Sequence, residues 1–332
     1  MDIFDILHLI LGLSFFLFGI QLMGDALKES LEGKQSQLMH RLTQKTSRGF
    51  LLGTAVTAII QSSSATTVMT VSLVNSGAIH LQQAIGIIFG ANVGTSVTSF
   101  LTALSGIEQK NVFHSFLLFL KPSSFVPILA LVGLLFYSKK KNQKTRQLGT
   151  ILFGFCILMV GMNQMSDAVS GLKENEAFRS VLLMFENPFL GILAGAILTA
   201  ILQSSSASIG ILQSLTATGA ITFGNAIPII MGQNIGTCIT AILASIGSNR
   251  NAKRVAMLHL SFNVLGSAAC MLIFYILTLQ TRMFDPTGQV DMWGIAFSHL
   301  LFNVISVILL YPLRTLLLKI AFLLIPPKKE NR

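Results

Sequence analysis

The feature that most constrains this chain is that it repeats itself. Shifted by 142 positions, Gln61-Ser62-Ser63-Ser64-Ala65 falls on Gln203-Ser204-Ser205-Ser206-Ala207, and Gly77-Ala78-Ile79 falls on Gly219-Ala220-Ile221. Gly90, Asn92, Gly94, Thr95 and Thr98 fall on Gly232, Asn234, Gly236, Thr237 and Thr240. Over the ungapped window 49–104 against 191–246, 26 of 56 positions are identical. Ordinary composition gives on the order of one in fifteen. The register continues upstream, where Gly19, Met23, Asp25 and Ala26 match Gly161, Met165, Asp167 and Ala168. The chain therefore carries two copies of one unit: an apolar helix, a polar linker and a Gln-Ser-Ser-Ser block.

The copies are built for lipid. Apolar residues make up 52% of the 332 and charged residues 11%, against about 25% charged in a soluble domain. This balance excludes a water-soluble enzyme, a disordered chain and a nucleic-acid-binding module, although the net charge is +10. In a membrane protein the placement of basic residues matters more than their sum. The three cysteines, Cys156, Cys238 and Cys270, lie far apart in apolar stretches with no CxxC. They read as small buried side chains rather than a disulfide framework or a transition-metal site. The acidic start, Met1-Asp2-Ile3-Phe4-Asp5, argues against a cleavable signal peptide.

Orientation follows from four basic clusters: Lys28 to Arg48, Lys139 to Arg146, Arg250 to Arg254, and Lys328 to Arg332. These belong on the cytoplasmic side. Loops 105–111, 165–187 and 281–291 carry Glu108, Asp167, Glu174, Glu176, Glu186, Asp285 and Asp291, and belong outside. The expected fold is an all-α polytopic membrane protein with its N-terminus outside and its C-terminus in the cytoplasm. Helix 8–23 crosses inward, and 25–48 lies along the inner face. Segment 49–76 is a re-entrant helical hairpin folded at its Gln-Ser-Ser-Ser block. Segment 78–104 is a transmembrane helix broken at Gly90-Ala91-Asn92-Val93-Gly94-Thr95. Segment 112–137 returns to a basic linker, 138–147, and completes a first half, 1–137. The second half, 148–325, repeats the plan with helix 148–164, hairpin 188–218, broken helix 221–247 and segments 255–280 and 292–325, before the basic tail 326–332. The two repeats then come out with inverted topology, the pattern of secondary transporters with a site near the membrane midplane.

The polar blocks carry the chemistry. Irregular backbone within a bilayer is tolerated where it is buried in protein or lines a wet cavity. A helix starting after each block points free N–H groups and a positive dipole end at a ligand. Serine hydroxyls donate to an oxyanion or ligate a hard cation, and glutamine adds a carbonyl oxygen and an amide. The candidate substrate-binding residues are Gln61, Ser62, Ser63, Ser64, Asn92 and Thr95 with Gln203, Ser204, Ser205, Ser206, Asn234 and Thr237. Of these, Gln61, Ser64, Thr95, Gln203, Ser206 and Thr237 are candidates for sodium. No Asp, Glu, Lys or Arg occurs from 49 to 107 or from 187 to 249. Helix dipoles and co-bound cations must balance an anion held there. With His80 as the one carboxylate or histidine in these stretches, Na+ coupling is favoured over proton coupling.

Duplicated Gln-Ser-Ser-Ser blocks, each followed by Gly-x-Asn-[Ile/Val]-Gly-Thr, resemble the type II sodium-dependent phosphate cotransporters and their bacterial members, over roughly 12–310. The resemblance implies symport of inorganic phosphate with Na+ by alternating access in the plasma membrane, with Gln61 to Ser64 and Gln203 to Ser206 lining the sites. It implies no cofactor and no enzymatic activity, and it leaves room for a homodimer. The family's His-x-x-Phe-Asn element stands here as His259-Leu260-Ser261-Phe262-Asn263 and His299-Leu300-Leu301-Phe302-Asn303. The first half has His114-Ser115-Phe116-Leu117-Leu118, without the asparagine. His and Asn four apart share a helix face, which points to an interhelical tie. Some bacterial relatives carry a C-terminal phosphate-regulator-like helical domain; the chain stops at 332, so such control is expected to be absent or supplied by another chain. The same build would also suit another oxyanion, or phosphate export. A serine enzyme lacks a base beside either block, and a channel would show flux that does not saturate.

Overall fold

In lipid the backbone must satisfy its own polar groups, and helix is the way a single segment does so. The described residues accordingly hold no strand, only one antiparallel bridge between Thr222 and Gln289. The computed structural model describes residues 3–31, 45–109, 122–139, 142–280 and 285–327. In chain order the helices are α1 (Ile3–Leu31), α2 (Thr46–Ile60), α3 (Ser63–Asn75), α4 (Leu81–Ala103), α5 (Pro122–Tyr137), α6 (Gln143–Ser170) and α7 (Glu176–Met184). They continue as α8 (Pro188–Leu202), α9 (Ser205–Leu215), α10 (Phe223–Ala244), α11 (Arg250–Tyr275), α12 (Met292–Leu310) and α13 (Arg314–Leu324). Among the described residues, 6 stretches are long and apolar enough to cross a membrane: Ile3–Ala26, Leu81–Gly106, Gln143–Ser170, Phe223–Ala244, Arg250–Thr278 and Met292–Leu310.

Several boundaries differ from the sequence expectation. Helix 8–23 extends to both sides as α1, and helix 148–164 starts earlier, at Gln143, where the Asn142 side chain accepts from the Thr145 amide at 3.2 Å. The capping asparagine pulls the helix start into the basic linker. Segment 292–325 is two helices, α12 and α13, separated at Tyr311-Pro312-Leu313; the proline offers no amide to continue the first. The presumed outer loop 165–187 holds the end of α6 and all of α7. Lys121, His114, residues 32–44 of the expected interfacial stretch and the last five residues of the tail lie outside the described residues.

The expected breaks at Gly90–Thr95 and Gly232–Thr237 do not occur: α4 and α10 run through both motifs as uninterrupted helices. The glycines serve helix packing instead. A Cβ at Gly90 would collide with the Phe50 carbonyl oxygen, and one at Gly94 would stand 2.6 Å from that of Thr54. Gly86 meets Thr46 in the same way, so α2 and α4 lie parallel with their backbones almost touching. Gly232 and Gly236 meet the carbonyls of Ile192 and Ala196, which gives α8 and α10 the same parallel pairing. Small residues at the contact are what permits this approach.

In chain order a shorter helix, α3 or α9, comes between the members of each parallel pair. Thr57 Oγ1 donates to Thr66 Oγ1 at 2.8 Å although the two are nine residues apart, about 13.5 Å along a continuous helix. The chain therefore turns back at Gln61-Ser62. In the second half, Gln233 packs its backbone beside Gly195 of α8 while its side chain reaches the Ser208 carbonyl of α9 at 2.9 Å.

Helices α1 and α6 form the other large contact. A Cβ at Gly12 would meet the Gly161 carbonyl at 2.9 Å and one at Gly19 the Gly154 carbonyl at 2.6 Å. The pair is thus antiparallel. Positions 12 and 154, and 19 and 161, are repeat-mates, so each glycine meets the mate of the other. Phe16, Leu158, Met159 and Met162 fill the seam around them, fully buried.

Candidate functional site

Each Gln-Ser-Ser-Ser block stops one helix and starts the next. Gln61 and Gln203 adopt left-handed backbone, at φ 58 and φ 52, and are the non-glycine residues with positive φ among those described. Such a conformation costs an L-residue roughly 1–2 kcal/mol. Two instances at repeat-related positions mark a built feature rather than an accident. Ser62 and Ser204 then act as N-caps, their hydroxyls accepting from the Ala65 and Ala207 amides, each at 3.1 Å. By helix geometry the amides of Ser63, Ser64, Ser205 and Ser206 have no intrahelical acceptor. They form the positive ends of α3 and α9.

Both helix starts border one cavity of about 760 Å³, lined by Gln61 to Ala65, by Gln203 to Ser206 and by one face of α1 with Gln21, Gly24 and Asp25. That is room for a small ligand with several waters or ions. All eight Gln-Ser-Ser-Ser residues come together here. The other four candidates do not line the cavity. Asn92 donates to the Ile88 carbonyl at 2.9 Å and Thr95 to that of Ala91 at 2.9 Å. Asn234 donates to Ile230 at 3.0 Å and Thr237 to Gln233 at 2.8 Å. All four are buried side chains that satisfy their donors on their own helices.

The two blocks differ in state. Gln61 is buried; its carbonyl oxygen accepts from Thr98 Oγ1 at 2.9 Å, and its amide donates to the Ala58 carbonyl. Gln203 is exposed. Behind the second turn, Thr199 and Ser208, the mates of the bonded Thr57 and Thr66, bury hydroxyls without a partner among the described residues, as does the Gln233 carbonyl oxygen. Among the described residues, the cavity lining includes no lysine, arginine or histidine, and one carboxylate, Asp25.

Sequence reasoning missed Gln21 and Asp25 as lining residues. Their signal was present: two polar residues four apart in a mostly apolar helix, one of them matched by Asp167. It also missed Gln213, which is buried and donates to the Ser99 carbonyl at 2.9 Å and the Met292 carbonyl at 3.0 Å. Its repeat-mate is Val71, so no duplicated pattern announced it. The His-x-x-Phe-Asn elements tie helices together. Asn303 donates to Ser96 Oγ at 3.2 Å, His299 Nδ1 pairs with Ser99 Oγ at 2.8 Å, and Asn263 donates to Cys238 Sγ at 3.4 Å. Ser96 and Cys238 are themselves repeat-mates.

A polytopic helical bundle that sets two neutral, helix-initiating polar turns around one cavity has the build of a solute carrier of the membrane. The model of the Na+/Pi-cotransporter family matches the chain twice, over residues 15–167 and 157–304. The chain belongs to that family. It is 32% identical over 315 residues to "Uncharacterized protein YqeW" of Bacillus subtilis, covering 95% of this chain and 96% of that one. It is 24% identical over 309 residues to "Putative inorganic phosphate export protein YjbB" of Escherichia coli, covering 92% of this chain and 53% of the relative. This chain therefore spans about half the length of YjbB. A 124-residue stretch is 37% identical to human sodium-dependent phosphate transport protein 2B, covering 34% of this chain and 17% of that one. No solved structure matches.

Proposed function

We propose that this chain moves inorganic phosphate together with Na+ by alternating access, at a site near the membrane midplane between two inverted repeats. The observation that carries this reading is the shared cavity, with two helix N-termini and eight Gln-Ser-Ser-Ser residues around it and no basic side chain among the described residues. Ser63, Ser64, Ser205 and Ser206 offer amides and hydroxyls to the phosphate oxygens. A helix N-terminus favours an anion by up to about 2 kcal/mol in a partly buried setting. That is too little to hold a dianion without partners, so the reading requires cations beside it. Gln61, Gln203 and the serine oxygens supply neutral ligands of the kind Na+ takes. Asn92, Thr95, Asn234 and Thr237 keep a supporting role behind the turns.

Inversion of the repeats is supported by the α1–α6 seam, where repeat-mates exchange partners across an antiparallel contact. Phosphate as substrate is supported by the family and by relatives named for phosphate transport. Two Na+ with HPO4 2− would be electroneutral. A third would add about 2.3 kcal/mol of drive per 100 mV. The chain would sit in the plasma membrane with its basic clusters inside.

A second reading, phosphate export by the same site, is favoured by the similarity to YjbB, whose name assigns it export. Both are tested by radiolabelled phosphate flux in proteoliposomes under an inward or outward Na+ gradient, with K+ and proton gradients as controls. Uptake that overshoots equilibrium only with inward Na+ is expected. Accumulation driven only by an outward Na+ gradient would favour export. Flux indifferent to Na+ from correctly inserted protein would overturn the coupling, and no phosphate flux would overturn the substrate.

A further inference from the structure

Among the described residues, Asp25 is the one formal charge on the wall of the Gln-Ser-Ser-Ser cavity. It is exposed, and among the described residues nothing hydrogen-bonds or ion-pairs with it. Its neighbour Gly24 packs so closely that a Cβ there would stand 2.7 Å from the Ile60 carbonyl oxygen, one residue before the Gln61 turn. The carboxylate thus stands at the edge of the place where the proposed function puts an oxyanion. A carboxylate there repels an anion arriving alone and concentrates cations at the mouth.

The repeat supplies a second copy. Gln21 and Asp25 map onto Asn163 and Asp167, an amide followed four residues later by an aspartate, on one face of each helix. Because α1 and α6 are antiparallel, with Gly12 against Gly161 and Gly19 against Gly154, the two aspartates lie at opposite ends of the pair. Asn163 and Asp167 border a separate cleft of about 410 Å³, shared with Asp5 and His8 of α1, which includes no residue of either Gln-Ser-Ser-Ser block. The same constellation therefore faces the binding turns at one end and is cut off from them at the other. A fold that exchanges the roles of its halves would connect the second and close the first.

Resting on the transport reading above, we propose that Asp25 and Asp167 are matched cation-recruiting carboxylates, one at each mouth of the pathway. Asp25 draws Na+ into the cavity open here, and Asp167 does so when the α6 side opens. Phosphate then meets a favourable site only after a cation has neutralised the mouth, which makes the order of binding a property of the wall and not of the cradle alone.

The test uses the full chain in proteoliposomes of known orientation, with Na+ varied at one face at a time and phosphate flux as readout. Asp25→Asn should raise half-saturating Na+ about three- to tenfold at the face toward which the C-terminal end of α1 points and leave the other face unchanged. Asp167→Asn should do the reverse. Asp25→Glu and Asp167→Glu should restore Na+ activation, and half-saturating phosphate at saturating Na+ should stay within about twofold throughout. A shift at both faces alike, a fall in maximal rate alone, loss of monodisperse protein, or no shift would overturn the proposal. Wild-type flux without Na+ dependence would remove the coupled-transport reading and this inference with it. Na+-coupled wild type with unmoved variants would overturn this inference alone.

Discussion

Gln61 and Gln203 pay for their position with backbone strain, and what each does with its side chain separates them. Gln61 is held by Thr98 and its own α2, whereas Gln203 is exposed beside the cavity. Replacing each by alanine keeps the strained backbone and removes the amide. Gln61→Ala should lose about 1 kcal/mol of stability from the broken hydrogen bond, while Gln203→Ala should unfold at nearly the wild-type temperature. Both should lose coupled phosphate transport. Gln203→Gly relieves the left-handed conformation and should gain up to about 1 kcal/mol while transporting no better than the alanine variant. Thermal unfolding in detergent and flux in liposomes, measured on the same preparations, check this; retained Na+-dependent flux in both alanine variants would take the glutamines out of the site. These residues were legible in the sequence because four consecutive polar residues, duplicated in an apolar chain, have few structural explanations. Gln213 was not, because a single unduplicated glutamine looks like any tolerated polar residue until its partners Ser99 on α4 and Met292 on α12 are seen.

At the scale of elements, the sequence distinguished its two interruptions less well. The Gln-Ser-Ser-Ser turn and the Gly-x-Asn-x-Gly-Thr motif both look like breaks, yet only the first ends a helix. The difference lies in where the polar side chains find partners. Ser62 and Ser204 bond forward, to the third amide of a new helix, while Asn92, Thr95, Asn234 and Thr237 bond back four residues and keep the helix going. Glycine spacing then has another use: Gly86, Gly90 and Gly94 recur every four residues and form a groove along which α2 lies. This predicts the effect of filling it. Gly90→Ala puts a methyl group into the Phe50 carbonyl and against the Thr54 amide, and because the clash is with backbone it is not relieved by turning a side chain. The variant should lose at least about 3 kcal/mol, as severe overpacking does, and elute as aggregate or at much reduced yield. Gly171→Ala, whose Cβ would meet nothing within 4 Å, should be indistinguishable from wild type. A well-folded Gly90→Ala protein would mean that α2 and α4 separate more easily than their contact suggests.

For the whole molecule, the question is which parts move. The α1–α6 seam exchanges repeat-mates across itself, so swapping the conformations of the two halves leaves it unchanged; it is the natural fixed axis. The Gln-Ser-Ser-Ser cavity is not symmetric in this way, since one glutamine is clasped and the other exposed. Alternating access then predicts that Gln203 is reached from one membrane face at a time. The chain is well suited to showing it, because Cys156, Cys238 and Cys270 are all buried and leave a quiet background for a membrane-impermeant thiol reagent. Gln203→Cys should label readily from the face on which the Asp25 cavity opens and slowly from the other. Gln61→Cys should label more slowly than Gln203→Cys from that same face, because its side chain is covered. Na+ and phosphate together should protect Gln203→Cys more than either alone, since the proposed coupling requires the cation to hold the anion. Equal labelling from both faces, unaltered by Na+ and phosphate, would point to an open pore and overturn the carrier mechanism. Labelling from one face that Na+ plus phosphate shifts to the opposite face would trace the exchange of the two halves about the α1–α6 seam.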